Sequence, residues 1–151
     1  MKMKYYFIGC FFFLMSCSKD FLEKKPYNAL PVEDALQSEA DILVALRGAY
    51  ASLRNVDLYG RTIPVLGDLM ADVTYQSLTN SNRYTFYNQY GTPVVDGNAL
   101  GMWTAGYHTI LRVNNILNST IDGTATARQY RGEAHAIRAL MYFELVRFFA
   151  K

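Results

Sequence analysis

Two cysteines, two histidines, one tryptophan and four prolines are all that this 151-residue chain holds of those residue types. So few Cys and His exclude a disulfide scaffold and a zinc ribbon. Charge is scarce too: 19% of residues are charged, with 15 basic against 13 acidic. Lys2 and Lys4 account for the excess, so without its first residues the chain is formally neutral. A neutral chain has no electrostatic case for nucleic acid, which is bound chiefly through neutralised phosphates. With 51% hydrophobic residues, wholesale disorder is excluded and one modest globular domain is expected. Tyrosine is the residue in excess, at 12.

No apolar run is long enough to span a bilayer. Tyr5 to Met15 is uncharged, but eleven helical residues rise only about 16 Å against a hydrocarbon core of roughly 30 Å. A basic start, a short apolar run and a small residue before a cut are the parts of a secretory signal. Leu14-Met15-Ser16-Cys17 resembles a bacterial lipobox, in which the Cys is acylated. Residues 1–16 are therefore expected to be a lipoprotein signal peptide, and Cys17 the lipidation site. Cys10 leaves with the signal, so no thiol remains for a disulfide or a metal. Residues 17–37 read as a tether and loop. Their charged start, Lys19-Asp20 and Glu23-Lys24-Lys25, resembles the export signal of surface lipoproteins in Bacteroidetes.

Residues 38–151 carry helical signals. Ser38 reads as an N-cap with Asp41 as its capping-box acid, followed by Ile42, Leu46, Ala49, Tyr50 and Leu53 at helical spacing. Tyr59-Gly60 reads as a turn. Ile63 to Ala71, broken by Pro64 and Gly67, reads as an extended entry into a short helix. Asp72 to Asp96 has no period and reads as a long loop, and such loops often carry function. Two long helices follow. Trp103, Tyr107, Ile110, Leu111, Asn114 and Leu117 mark the first; Tyr130, Ala134, Ile137, Met141, Leu145 and Phe148 mark the second. The second helix has another apolar stripe, Ala136, Leu140 and Phe143, and such a helix is normally buried between two partners. With no sequence downstream to cover that stripe, the chain reads as the truncated N-terminal part of a longer domain.

Arg131-Gly132-Glu133-Ala134, Arg138-Ala139, Tyr142-Phe143 and Leu145 to Phe149 resemble the signature helix of the SusD/RagB family. The lipobox with Asp20-Phe21-Leu22, then Gly48-Ala49-Tyr50, then Trp103, Tyr107, Ile110, Asn114 and Asn115 agree with it in order and spacing. The resemblance departs at Ala150, where the family usually has Gly, and covers only the family's N-terminal part. It implies a mostly α fold, tetratricopeptide-like helix pairs with a long irregular loop. It implies a lipid-anchored, surface-facing outer-membrane protein that binds glycans, or peptides in some branches. The implied partner is a SusC-type TonB-dependent transporter, and no enzymatic activity is implied.

Trp103 is expected in the core, and Asn114 and Asn115 in helix-to-loop hydrogen bonds. Glu133 and His135 diverge at i, i+2, and His108 has no acidic neighbour at helical spacing, so no metal site or cofactor is expected. Glu144 and Arg147 read as a modest i, i+3 pair. The loop offers aromatic faces for sugar C–H surfaces and polar groups for hydroxyls. The expected ligand-binding residues are Asp72, Tyr75, Arg83, Tyr84 and Tyr87, with Phe86 buried between the last two as an anchor. A hydrolase would need paired carboxylates or a nucleophile with its base; the acids are scattered and no Gly-x-Ser-x-Gly occurs. A helical interaction lipoprotein without a small ligand is the other alternative. The lipobox makes one direct prediction. Cys17→Ala abolishes fatty-acid labelling and moves the protein into soluble fractions; unchanged labelling refutes the anchor.

Overall fold

The computed structural model describes residues 31–150. The chain divides into two units, Met1–Ala35 and Leu36–Lys151. The described part of the first is essentially a single turn, α1 (Val32–Ala35), in which the N–H groups of Asp34 and Ala35 donate to the Pro31 carbonyl, each at 3.0 Å. The expected signal segment and Cys17 lie outside the described residues.

The second unit is helical throughout its regular structure: α2 (Glu39–Leu53), α3 (Thr62–Met70), α4 (Thr85–Asn88), α5 (Gly97–Asn118) and α6 (Ala125–Phe149). The three longest start on oxygen-bearing caps. Ser38 accepts the Asp41 N–H at 3.3 Å, Asp96 accepts the Ala99 N–H at 2.8 Å, and Thr124 accepts the Ala127 N–H at 3.0 Å. Asp41 closes the first cap, accepting from the Ser38 hydroxyl at 2.7 Å and the Gln37 N–H at 3.2 Å. Those donors, the hydroxyl foremost, hold its carboxyl below the usual value.

The segment read as an extended entry at Ile63 is helical from Thr62. Pro64 is its third residue, where a backbone N–H has no intrahelical partner to lose. The expected turn before it is present. The Thr62 hydroxyl and N–H both donate to the Val56 carbonyl, at 2.9 and 3.0 Å. Gly60 is required there: a Cβ would lie 2.4 Å from the Arg54 carbonyl oxygen.

Cross-helix contacts define the topology. Gly106 packs on Leu145, Asn114 meets Arg138, and the end of α5 meets Arg131, so α5 and α6 run antiparallel. Ser52 meets Thr109 and Gly48 meets Arg112, so α2 is antiparallel to α5. Glu39 meets Thr124 and Tyr50 meets Glu133, so α2 and α6 run parallel. The result is a three-helix arrangement with two apolar clusters. Ile42, Leu46, Ala49, Val113, Ile116, Leu117, Ala134 and Ile137 fill the α2–α5–α6 interior. Leu58, Ile63, Leu66, Tyr87, Met102, Ala105, Ile110, Met141 and Leu145 fill the end nearer α3, and Leu53 touches both. Each such large side chain contributes about 1.5–3 kcal/mol on burial.

The α6 stripe predicted from Ala134 to Leu145 is buried as expected, and the second, Ala136, Leu140 and Phe143, is exposed. In α5 the predicted stripe is buried in part: Ile110 and Leu117 are inside as expected, whereas Trp103, Tyr107 and Leu111 are exposed. The rest of the inward face is Met102, Ala105, Gly106, Thr109, Val113 and Ile116, to one side of that stripe. The reason is close approach: Gly106 and Ala105 let α6 come near, and a residue as large as Trp103 does not fit that face.

Arg131 carries the polar side of this packing. It donates to the carbonyls of Leu117 at 2.8 Å, Ser119 at 3.0 Å and Ile116 at 3.4 Å, closing the open end of α5. Ile116 keeps the Ser119 N–H and hydroxyl as donors, so Arg131→Ala removes the side-chain donor chiefly from Leu117 and Ser119 and is expected to cost about 1–3 kcal/mol, read by urea unfolding; a loss within error shows that water caps α5 equally well.

Candidate functional site

The loop from Asp72 to Asp96 contains one turn of helix, α4, and that turn decides which aromatics face out. Tyr84 and Tyr87, three residues apart, share a side and pack toward the Leu58–Leu66 cluster. Phe86, off that side, is 55% exposed. The expected arrangement, Phe86 buried and its neighbours outward, is therefore reversed. Tyr87 is buried and its hydroxyl donates to Asp96, the cap of α5. Tyr84 is half-buried beneath Arg61, whose guanidinium carbon lies 5.9 Å from the ring centre.

The other expected ligand residues are exposed but not gathered into one wall. Tyr75 is 84% exposed, Arg83 and Asp72 lie at the surface, and Asp72 has a left-handed φ of 59° just after α3. The amides that looked free for hydroxyl recognition partly knit the loop. Asn88 accepts the Gln76 N–H at 2.9 Å, and Asn80 accepts from the Gln76 side chain at 2.7 Å.

A groove of about 530 Å³ opens where this loop meets the ends of three helices. Met70 of α3, Tyr87 of α4, Met102 of α5 and Arg147, Phe148 and Phe149 of α6 line it. Phe149 also belongs to an aromatic cluster at the surface. Its ring meets Trp103 edge-on at 5.2 Å, and Trp103 meets Tyr107 at 4.8 Å. Trp103 was expected in the core; it is instead a half-exposed aromatic face. The signal that finds this cluster is tertiary, since residues 103 and 149 are brought together only by the antiparallel α5–α6 pair.

Behind the groove, Glu144 is buried among Leu58, Ile63, Met102 and Leu145. It accepts the Tyr59 hydroxyl at 2.7 Å and two Arg147 nitrogens at 2.9 and 2.5 Å. This exceeds the modest i, i+3 pair read from the sequence: a buried carboxylate is paired and hydrogen-bonded on both oxygens. Arg147 is thereby aimed at the groove, with its guanidinium over the Phe148 ring at 4.7 Å.

Several of the residues that carried the family resemblance meet one another. Glu133 accepts from Tyr50 at 3.1 Å and Arg138 donates to Asn114 at 3.0 Å. Asn114 thus joins two helices rather than a helix and a loop. His135 accepts from Arg138 at 3.1 Å, so Glu133 and His135 engage different partners as their spacing requires. Among the described residues no cluster of His, Cys, Asp or Glu suits a metal, and no helix is long and apolar enough to cross a membrane.

Two phenols give the structure an alkaline limit. Burial first, then hydrogen bonding to a carboxylate and its charge, push the Tyr59 and Tyr87 hydroxyls well above the usual range. Their folded values exceed their unfolded ones, so the stability they contribute is complete below about pH 10 and is lost as pH rises beyond it. Urea unfolding across that range is expected to show the decline, and a Tyr59→Phe/Tyr87→Phe double variant to flatten it. An identical slope in the variant assigns the decline elsewhere.

Comparison with known proteins agrees with this architecture. Residues 20–151 match a SusD-like family model described as starch-binding, associating with the outer membrane. The chain is also 29% identical, over 98% of its length, to the SusD-like protein P2 of Formosa agariphila, and spans 30% of that relative's length. No solved structure matches the chain. A family match over most of the chain, on an all-helical fold whose signature residues pair with one another, means that this chain belongs to the SusD-like family.

Proposed function

We propose that the protein is a glycan-binding lipoprotein of the outer-membrane surface, anchored through Cys17, that delivers oligosaccharide to a SusC-type TonB-dependent transporter. Its role is binding rather than catalysis. The observation that carries the reading is the half-exposed Trp103–Tyr107–Phe149 cluster, which shares Phe149 with the groove. Flat aromatic rings cover the C–H faces of sugars, and Arg147 and Thr92 supply polar contacts from the groove wall. Tyr75 and Arg83 extend the contact from the exposed loop, with Asp72 at its base. Tyr84 and Tyr87 act as supports that hold the loop in place. The exposed stripe of α6, with Phe143 at 59% and Val146 at 62%, fits a module that works against another polypeptide surface.

The test is binding of soluble starch fragments to the intact protein. Trp103→Ala is expected to lose about 0.5–1.5 kcal/mol beyond lost contact area, a several-fold weakening or more. Tyr75→Ala weakens binding less, and neither effect is removed by high salt, because stacking is poorly screened. Unchanged affinity in Trp103→Ala with helicity intact rejects the cluster as the glycan face.

A further inference from the structure

A second hollow, of about 540 Å³, lies between the end of α2 and the middle of α5. It shares no lining residue with the aromatic groove. Arg54, Asn55, His108 and Arg112 line it above Ser52 and Thr109, and among the described residues no carboxylate lines it; the Asp57 carboxylate lies beyond its edge, against Gly101, one turn of α5 before Ala105. His108 and Arg112 stand one turn apart on α5, so they face the same way. Arg112 reaches across to the Gly48 carbonyl of α2 at 3.4 Å, which holds its guanidinium between α5 and α2 beside the hollow. The floor is already satisfied: the Ser52 and Thr109 hydroxyls lie 2.9 Å apart, and each is within reach of a carbonyl of its own helix.

Positive charge therefore dominates the space. The carbonyl end of α2 brings a partial charge of about minus one half, and two guanidinium groups exceed it. Among the described residues neither Arg54 nor Arg112 is neutralised by an ion pair. An Arg fork matches the paired oxygens of a carboxylate or sulfate. Among the described residues the lining offers no aromatic ring for stacking and no apolar track for an acyl chain; its apolar members there are Ala51 and Ala105. We propose that this hollow binds the carboxylate or sulfate group of an acidic sugar, held between Arg54 and Arg112 with His108 and Asn55 as further polar partners. The site is separate from the aromatic groove and stands or falls independently of it.

The test is NMR titration of the intact protein at low ionic strength with glucuronate, inorganic sulfate and neutral glucose, following the arginine Nε–H and histidine ring signals. Glucuronate and sulfate are expected to shift Arg54, Arg112 and His108, with glucose silent there. Arg54→Gln and Arg112→Gln are each expected to weaken glucuronate binding about tenfold, the size of one charge-assisted hydrogen bond. Among the described residues Arg54 makes no side-chain bond, so its variant keeps the test clear of folding effects. Shifts of equal size at Arg47 or Arg128, no shift at all, or unchanged affinity in Arg54→Gln overturns the proposal. So does Arg54-dependent binding to anionic phospholipid vesicles without binding of glucuronate, which assigns the hollow to a lipid phosphate.

Discussion

The last carbonyls of α5 point out of the helix with no partner inside it, and the remaining architecture follows from what takes them up. Arg131, in the second turn of α6, donates to two of them, Ile116 and Leu117, and to the Ser119 carbonyl just beyond the helix. This fixes the register of α6 against α5, because a slip by one residue turns the side chain away by about 100°. From that register the other pairs follow. Arg138 reaches Asn114 two turns further on, and Glu133 faces Tyr50 of α2. Apolar stripes supply most of the stability but are tolerant of sliding; the polar seam is what singles out one arrangement.

The same register places the groove. Antiparallel α5 and α6 bring residue 103 beside residue 149, so an aromatic cluster forms at the end of the bundle away from the Arg131 cap. The loop after α3 closes that end. It is held by Tyr87, which joins the core with its ring and the α5 cap with its hydroxyl. Glu144 holds the opposite wall by binding Tyr59 and aiming Arg147. Each wall of the groove thus rests on a phenol–carboxylate contact, and the binding surface inherits its shape from them.

Much of this was legible in the chain itself. The Ser38–Asp41 cap, the α2 stripe from Ile42 to Leu53, both long helices and the exposed second stripe of α6 follow from spacing and capping, because those signals are local. The family resemblance was legible for a related reason. Several of its residues, Arg131, Glu133, Arg138 and Asn114, form the polar seam, and their order along the chain is visible without the fold. The helical start at Thr62 was missed because Pro64 reads as a break unless its place in the first turn is known.

What the sequence by itself determined is the helical content, the Ser38 cap, the scarcity of metal-binding residues and the membership of a family. What only the tertiary structure decided is which aromatics face solvent and which charges converge. Trp103 and Tyr87 illustrate both directions: period alone put the first inside, and loop composition put the second outside. Each was decided by distant partners, Gly106 against Leu145 for the first and Asp96 with the Leu58–Leu66 cluster for the second. Periodicity states that a helix has an apolar side, but the depth of approach of the neighbouring helix sets which edge of that side is covered. Arg54 and Arg112 likewise become one positive hollow only because α2 and α5 run antiparallel, a relation that no local signal encodes.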